Sequence, residues 1–234
     1  MAKLKILVVD DDKEIAELVQ IHLESEGYQV ITAHDAVTGL NILSREKDIS
    51  LAVVDIMMPG MNGLTMCDKI REKSPIPIII LSAKSTDFDK IVGLGKGADD
   101  YVTKPFNPLE LTARVKSQLR RYTLLNPNAG LENTDNSKMI VAGPLTMCKD
   151  THMVTSYDKE IKLTPIEFDI LYLMVSNAGH VFSTDEIFER VWNEKTFEAN
   201  NTVMVHIRRI REKIEIGGAR IIETVWGVGY KIEK

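Results

Sequence analysis

Cysteine is nearly missing from this chain of 234 residues: Cys67 and Cys148 are the only two, one in each half. Two thiols so placed build neither a disulfide framework nor a thiolate metal site. Long apolar runs are missing too. No stretch of about 18 apolar residues is present to cross a bilayer. The first residues, Met-Ala-Lys-Leu-Lys, pass directly into a strand-like run at Ile6 to Val9, without a secretory h-region or cleavage site. A cytoplasmic, reducing location is expected. Nor is there an excess of positive charge. The formal net charge is -5 and both halves are mildly acidic, so any nucleic-acid contact would have to come from a local patch. What remains, 44% hydrophobic and 27% charged residues, is a soluble globular composition at a length suited to two ordinary domains.

Among what is present, residues 49–63 stand out. The apolar run Leu51 to Val54 ends in one carboxylate, Asp55, and Pro59, Gly60 and Gly63 follow. So apolar a run suits a strand covered on both faces, and the Pro-Gly pair breaks it into a loop. An acid at the carboxyl end of such a strand lies where open α/β sheets place their ligands. Taken singly, Asp55 is equally readable as a helix cap or a turn residue.

The rest of the first half repeats the pattern. Lys5 to Val9 reads as a buried strand ended by three acids, Asp10, Asp11 and Asp12. Their mutual repulsion is relieved by a cation nearby or by a capping role. Ile15, Leu18, Val19 and Leu23 follow at helical spacing, with Gly27 as the stop. Further strands are predicted at Tyr28 to Thr32 and Pro77 to Leu81, and further helices at Ala36 to Leu43, Met61 to Arg71 and around Phe88 to Leu94. Ala98 to Thr103 leads into Lys104-Pro105-Phe106, and Pro108 opens a last helix that closes at Arg120-Arg121. The result is five β–α units. Asp10 and Asp11, Asp55, Ser82 and Lys104 all fall at strand carboxyl ends, which a parallel sheet gathers on one edge. Hard oxygen ligands hold Mg²⁺, and an amine beside them neutralises a phosphoryl group in transfer.

Val9-Asp10-Asp11, Asp55 to Gly60, Ser82-Ala83, Gly97 to Tyr101 and Lys104-Pro105-Phe106 together resemble the receiver domain of two-component response regulators. The resemblance implies a flavodoxin-like (βα)5 domain over residues 1–121. In it Asp55 is the phosphate acceptor. Asp10, Asp11, Asp55 and the Met57 carbonyl bind Mg²⁺. Ser82 is the switch hydroxyl, Tyr101 the switch aromatic and Lys104 the phosphate-binding amine. The Lys104–Pro105 bond is expected to be cis. It further implies that Lys90, Asp99, Asp100, Glu110, Arg114 and Lys116 form ion pairs across a two-fold dimer.

Residues 122–137 become polar and turn-prone without periodicity and read as a flexible linker. Residues 138–234 begin with short strands at Ile140-Val141, Leu145 to Met147, His152 to Ser156 and Ile161 to Leu163. Thr164-Pro165 with Glu167 opens a helix in a capping-box pattern, and Ser183 with Glu186 opens a second. The third, Asn201 to about Glu215, places Val203, Ile207, Ile210 and Ile214 on one face. Arg208, Arg209 and Glu212 are expected on the other side, near Thr202, with His206 and Arg211 on the flanks. A helix so divided suits a major groove. A closing hairpin spans Ile221 to Val225 and Tyr230 to Ile232.

Leu163 to Phe168, Val203 to Arg211 and Thr224 to Tyr230 resemble the winged-helix output domain of the OmpR/PhoB subfamily. By that likeness Arg209 reads bases, with Arg208 on the same face. Thr202, His206 and Arg211 contact the DNA backbone, and Trp226 lies in the wing. Trp226 stands where the family usually has arginine, Asn201 where arginine is common and Met204 where aspartate is usual. Residues 193–200 match a loop that some relatives use to touch RNA polymerase. Ile76 to Ile79, Pro108 to Leu111 and Arg114 also resemble VanR-type regulators. The implied function is a transcriptional regulator that a sensor histidine kinase phosphorylates on Asp55. It then dimerises on promoter repeats, and its only catalysis is its own phosphotransfer and slow dephosphorylation. Two other classes are weighed beside it: a free-standing acyl-phosphate hydrolase, which the arginine-bearing helix argues against, and a protein-binding adaptor.

Overall fold

The apolar runs of the first half form one parallel sheet. In the computed structural model, residues 3–124, 139–192, 199–215, 218 and 220–233 are described. The first unit, Met1–Tyr122, runs β1 (Lys5–Val9), α1 (Lys13–Ser25), β2 (Gln29–Ala33), α2 (Ala36–Arg45), β3 (Ile49–Val54), α3 (Gly63–Arg71), β4 (Ile78–Ser82), α4 (Asp87–Gly95), β5 (Asp100–Thr103) and α5 (Pro108–Leu124). The strand order is β2-β1-β3-β4-β5, all parallel. All six residues of β3 are buried, as the unbroken apolar run requires of a central strand. Helix starts are capped from within. The side chains of Asp12, Asp35, Asn62 and Thr86 accept N–H bonds at the starts of α1, α2, α3 and α4, each worth roughly 1 kcal/mol. One expectation shifts. Helix α5 continues through residues 122–124, where the linker was expected to begin. The remaining linker residues lie outside the described ones. Leu18, one of the apolar residues at helical spacing in α1, is 41% exposed.

The second unit, Thr123–Lys234, opens with an antiparallel sheet of four strands in sequence order. These are β6 (Met139–Ala142), β7 (Leu145–Cys148), β8 (Val154–Ser156) and β9 (Lys159–Glu160). Three helices follow, α6 (Pro165–Ser176), α7 (Thr184–Trp192) and α8 (Ala199–Ile214), then the hairpin β10 (Ile222–Val225) and β11 (Gly229–Ile232). The expected strand at Ile161 to Leu163 is corrected. The ladder falls one step earlier, at Lys159–Glu160, and Ile161 makes a single 2.9 Å bond to the Val154 carbonyl. Helix α6 is the core element, with eight of its 12 residues buried. It is apolar nearly all round, as a helix covered on several sides must be. Gly229 locks the hairpin down. A Cβ there would lie 1.9 Å from the Phe182 carbonyl oxygen, and Phe182 and Tyr230 exchange two 2.9 Å backbone bonds at that point.

His152, beside this sheet, packs its ring 4.1 Å from that of Phe168. Burial, helped by the charge of Lys149, lowers its pKa to about 4. A histidine whose folded pKa lies below its unfolded value contributes stability above about pH 6.5, and the contribution is lost as pH falls towards about 4. Allowing for solvent screening, the second unit should lose about 2 kcal/mol across that window. Both tryptophans, Trp192 and Trp226, lie in this unit, so their fluorescence in urea reports its unfolding alone. His152→Phe should flatten the pH slope, and an unchanged slope in that variant would assign it to another group.

Candidate functional site

The site is built at the carboxyl ends of β1, β3, β4 and β5. Val9 pairs with Val54 in the β1–β3 register and Val54 with Ile80 in β3–β4. Asp10 and Asp55 therefore leave the sheet side by side, where the strand order reverses direction and such sheets hold their ligands. Both carboxylates are buried, at 2% and 5% exposure, whereas Asp11 is exposed. Lys104, just past β5 and joined to Pro105 by the expected cis peptide bond, reaches back to them. Its Nζ lies 2.7 Å from Asp10 Oδ2 and 3.0 Å from Asp55 Oδ2. The second oxygens are held by the main chain: Asp12 N–H donates to Asp10 Oδ1 at 3.1 Å and Met57 N–H to Asp55 Oδ1 at 3.2 Å. Burial raises the Asp10 pKa, although its hydrogen bond with Lys104 acts the other way. Burial would lower that of Lys104, but its bonds to Asp10 and Asp55 outweigh it and the ammonium is favoured.

Asp10, Asp11 and Asp55 each offer an oxygen, and these oxygens lie within 4.8 Å of one another. An all-carboxylate donor set of this kind fits a hard divalent cation. Gly63, which sequence reasoning used only as a loop marker, turns out to shape the site. A Cβ on it would stand 1.9 Å from the Asp55 carbonyl oxygen, so only glycine lets α3 start against the main chain of Asp55. The Met-Asn-Gly stretch was the available signal.

Ser82 ends β4 fully buried, and its Oγ accepts the Lys84 N–H at 3.3 Å. Tyr101 is 9% exposed and its hydroxyl donates to the Lys84 carbonyl at 2.8 Å, and its side chain also interacts with that of Ser82. The expected interface charges are placed differently from one another. Asp99 is wholly buried. It receives the Ile78 N–H at 2.9 Å and pairs with Arg71, whose guanidinium also donates to the carbonyls of Gly97, Ser74 and Ile76. It is an internal brace between α3 and β5, which corrects its expected surface place. Asp100 is also buried and pairs with Arg114 at 3.1 Å, and Arg114 reaches Glu110 at 3.0 Å. Lys116 pairs with Glu26 at 2.6 Å. These pairs lie within the chain. Lys90 is half-buried on α4.

In the second unit, Val203, Ile207, Ile210 and Ile214 are buried as expected. Thr202 is half-buried, Arg208 is exposed and forms an i,i+4 pair with Glu212 at 2.9 Å, and Trp226 is 90% exposed. Arg211 is half-buried; it donates to the Ile222 carbonyl and to Thr224 Oγ1, both at 2.8 Å, and lies over the Tyr230 ring. Two placements are corrected. His206 is fully buried, its ring 5.6 Å from that of Trp192, and Arg209 is 9% exposed, 3.0 Å from the wholly buried Glu167. Helix α8 packs against both α6 and α7, so its buried arc is wider than one apolar stripe and takes in these two polar residues. The exposed stripe instead carries Met204, Arg208 and Glu212. The expected polymerase-contact loop, residues 193–200, lies outside the described residues as far as residue 198.

Residues 6–116 match the response regulator receiver domain family, and residues 158–232 the family of transcriptional regulatory protein C-terminal domains. The chain is 48% identical to the regulatory protein VanR of Enterococcus faecium, covering 98% of this chain and 99% of that one. It is 40% identical to the alkaline phosphatase synthesis regulator PhoP of Bacillus subtilis, over 98% and 97% of the two chains. The crystal structure of DrrB, an OmpR/PhoB homologue from Thermotoga maritima, aligns over 100% of both chains at 34% identity with a TM-score of 0.51. The buried carboxylates under one lysine and the helix-and-hairpin unit later in the sequence thus have a shared explanation: the chain belongs to the OmpR/PhoB-type response regulators, transcriptional regulators that join a receiver domain to a DNA-binding domain.

Proposed function

We propose that Asp55 accepts a phosphoryl group from a phosphohistidine on a sensor histidine kinase and that this charge switches the chain to a DNA-bound dimer. The observation that carries the reading is the Lys104 amine bridging Asp10 and Asp55 at 2.7 and 3.0 Å on the sheet edge. An Asp55 oxygen attacks phosphorus as a nucleophile, the phosphorus–nitrogen bond breaks, and the imidazole leaves with the electron pair. Lys104 holds the transferring oxygens. The residues that would hold Mg²⁺ are Asp10, Asp11, Asp55 and the Met57 carbonyl, and the ion supplies charge neutralisation there. The chain is its own catalyst for this transfer and hydrolyses the acyl phosphate slowly.

Ser82 then bonds to the phosphoryl group, and Tyr101 couples that movement to the surface of α4, β5 and α5. Lys90, Asp100, Glu110, Arg114 and Lys116 exchange partners across a two-fold dimer, while Asp99 braces β5 from inside. On promoter repeats, Thr202, Arg208 and Arg211 of α8 and Trp226 of the hairpin face double-stranded DNA. His206 and Arg209 support the helix from its buried side. Residues 193–200 are the RNA polymerase contact. The chain acts in the cytoplasm; among the described residues no helix is long and apolar enough to cross a membrane.

The test is a mobility-shift titration on DNA selected by the chain from random sequence, with and without acetyl phosphate and Mg²⁺, beside sedimentation velocity. Phosphorylation should produce the dimer and tighten binding, the second half-site being met at high effective concentration. Affinity should fall with added salt. Equal affinity and unchanged oligomer state in both conditions would sink the switch.

A further inference from the structure

We propose that Gly93 is a positioning residue of the switch: its missing side chain is the space that the Tyr101 ring occupies beneath α4. The inference rests on the phosphorylation switch proposed above and goes beyond it by naming what sets the balance of that switch. Helix α4 carries two glycines, Gly93 and Gly95, although glycine weakens a helix relative to alanine. A Cβ on Gly95 would meet nothing within 4 Å, so packing does not demand glycine there. A Cβ on Gly93 would lie 2.8 Å from Ile80 Cδ1, 3.0 Å from Tyr101 Cε2 and 3.1 Å from Tyr101 Cδ2. The contact with Ile80 is closer than real Cβ atoms come, so that methyl has to move, and the two with Tyr101 are tight enough that the ring has to give by a few tenths of an ångström.

The Ile80 methyl is the far end of its side chain and can turn aside, whereas the Tyr101 ring is rigid and tied through its hydroxyl. Ile80 is wholly buried in β4, and it faces Tyr101 directly in the β4–β5 register. The Tyr101 ring is held between that strand and Gly93, with its hydroxyl on the Lys84 carbonyl at 2.8 Å. Lys84 in turn donates its N–H to Ser82 Oγ. The chain of contacts therefore runs from the switch hydroxyl, directly and through Lys84, to the tyrosine, and ends on Gly93 of α4. With alanine at 93, either α4 lifts or Tyr101 leaves its seat and gives up the bond to Lys84. Both outcomes uncouple Ser82 from the α4–β5–α5 surface.

The full-length chain labelled with 3-fluorotyrosine tests this by ¹⁹F NMR, with Tyr101→Phe assigning one resonance among the six tyrosines. Spectra and sedimentation are recorded with and without beryllofluoride and Mg²⁺. In wild type the Tyr101 resonance should respond and a dimer should form. In Gly93→Ala the buried Tyr101 population should fall about tenfold, and beryllofluoride-induced dimerisation should weaken by about the same factor. Gly93→Ala with Ile80→Val, which removes the nearest clashing atom, should recover part of both. A stability cycle of Gly93→Ala with Tyr101→Ala covers the event that the single variant folds poorly: the alanine at 93 should be better tolerated once the ring is gone. Gly93→Ala with wild-type Tyr101 signals and wild-type dimerisation would overturn the role. So would a cycle without coupling. A wild type that ignores beryllofluoride would instead overturn the switch on which the role depends, and the two failures are read from different samples.

Discussion

Asp55→Asn is expected to abolish every response of this chain to a phosphodonor. The substitution keeps the size of the side chain and an oxygen for the Met57 N–H, which sits 3.2 Å from Asp55 Oδ1. What it removes is the nucleophile and one negative charge from a pair buried at 2% and 5% exposure. Lys104 then retains Asp10 at 2.7 Å as its partner, so the fold should survive. The phosphorylated species, followed by intact mass or by retardation in a phosphate-binding gel, should be undetectable with acetyl phosphate, and the dimer should not form. Lys104→Ala separates positioning from nucleophilicity. Asp55 remains, but the transferring oxygens lose their preorganised cation, and phosphorylation should slow by about 10²- to 10³-fold without vanishing. An Asp55→Asn chain that still gains a phosphoryl mass and dimerises would move the acceptor elsewhere.

The two halves were legible to different depths, and the difference is physical. A parallel sheet turns a local signal into a global one. Each apolar run that ends in a polar residue delivers that residue to the same edge, so Asp10, Asp55, Ser82 and Lys104 could be brought together from order alone. Long-range pairings within the half had no such signal. Arg71 and Asp99 are 28 positions apart, and adjacency in Asp99-Asp100 does not say that one acid pairs with Arg71 and the other with Arg114. Gly93 is invisible for the same reason: a glycine required by a neighbouring ring looks like any helix glycine until the ring is placed. In the second half, helical periodicity marked the apolar stripe of α8 correctly, but periodicity describes a helix with one buried side. Packing by both α6 and α7 widened the buried arc to His206 and Arg209. The misplaced strand at Ile161 to Leu163 has a simpler cause. An alternating apolar triplet fits an extended backbone, whether or not a partner strand is beside it.

Arg209 is where this matters most for DNA binding, and Glu167 decides it. Glu167 is wholly buried in α6. Its Oε1 lies 3.0 Å from Arg209, and its Oε2 lies 2.6 Å from Lys213 and 2.9 Å from the Thr164 N–H. Burial would raise its pKa, but the charges of Arg209 and Lys213 and its hydrogen bonds outweigh that and hold the carboxyl below its ordinary value. The stability it contributes is present above the unfolded carboxyl pKa and is lost as pH falls through the lower folded one. Glu167→Gln leaves two cations around a neutral amide, and breaking a buried pair from one side should cost about 3 kcal/mol. For a unit of this size that lowers the melting temperature by about 15 °C, read from the two tryptophans. Glu167→Met with Arg209→Met should recover most of the loss, because apolar side chains of similar volume replace a buried ion pair at little cost. Lys213, one-third exposed, stays solvated. The same double variant then asks what Arg209 does. If it supports α8 from the buried side, the variant should bind selected DNA with the wild-type salt slope, whereas Arg208→Ala, on the exposed stripe, should weaken binding and reduce that slope by about one without changing the melting temperature. Loss of sequence preference in the double variant at unchanged stability would return Arg209 to the groove and make its pairing with Glu167 the resting state of a side chain that swings out to meet DNA.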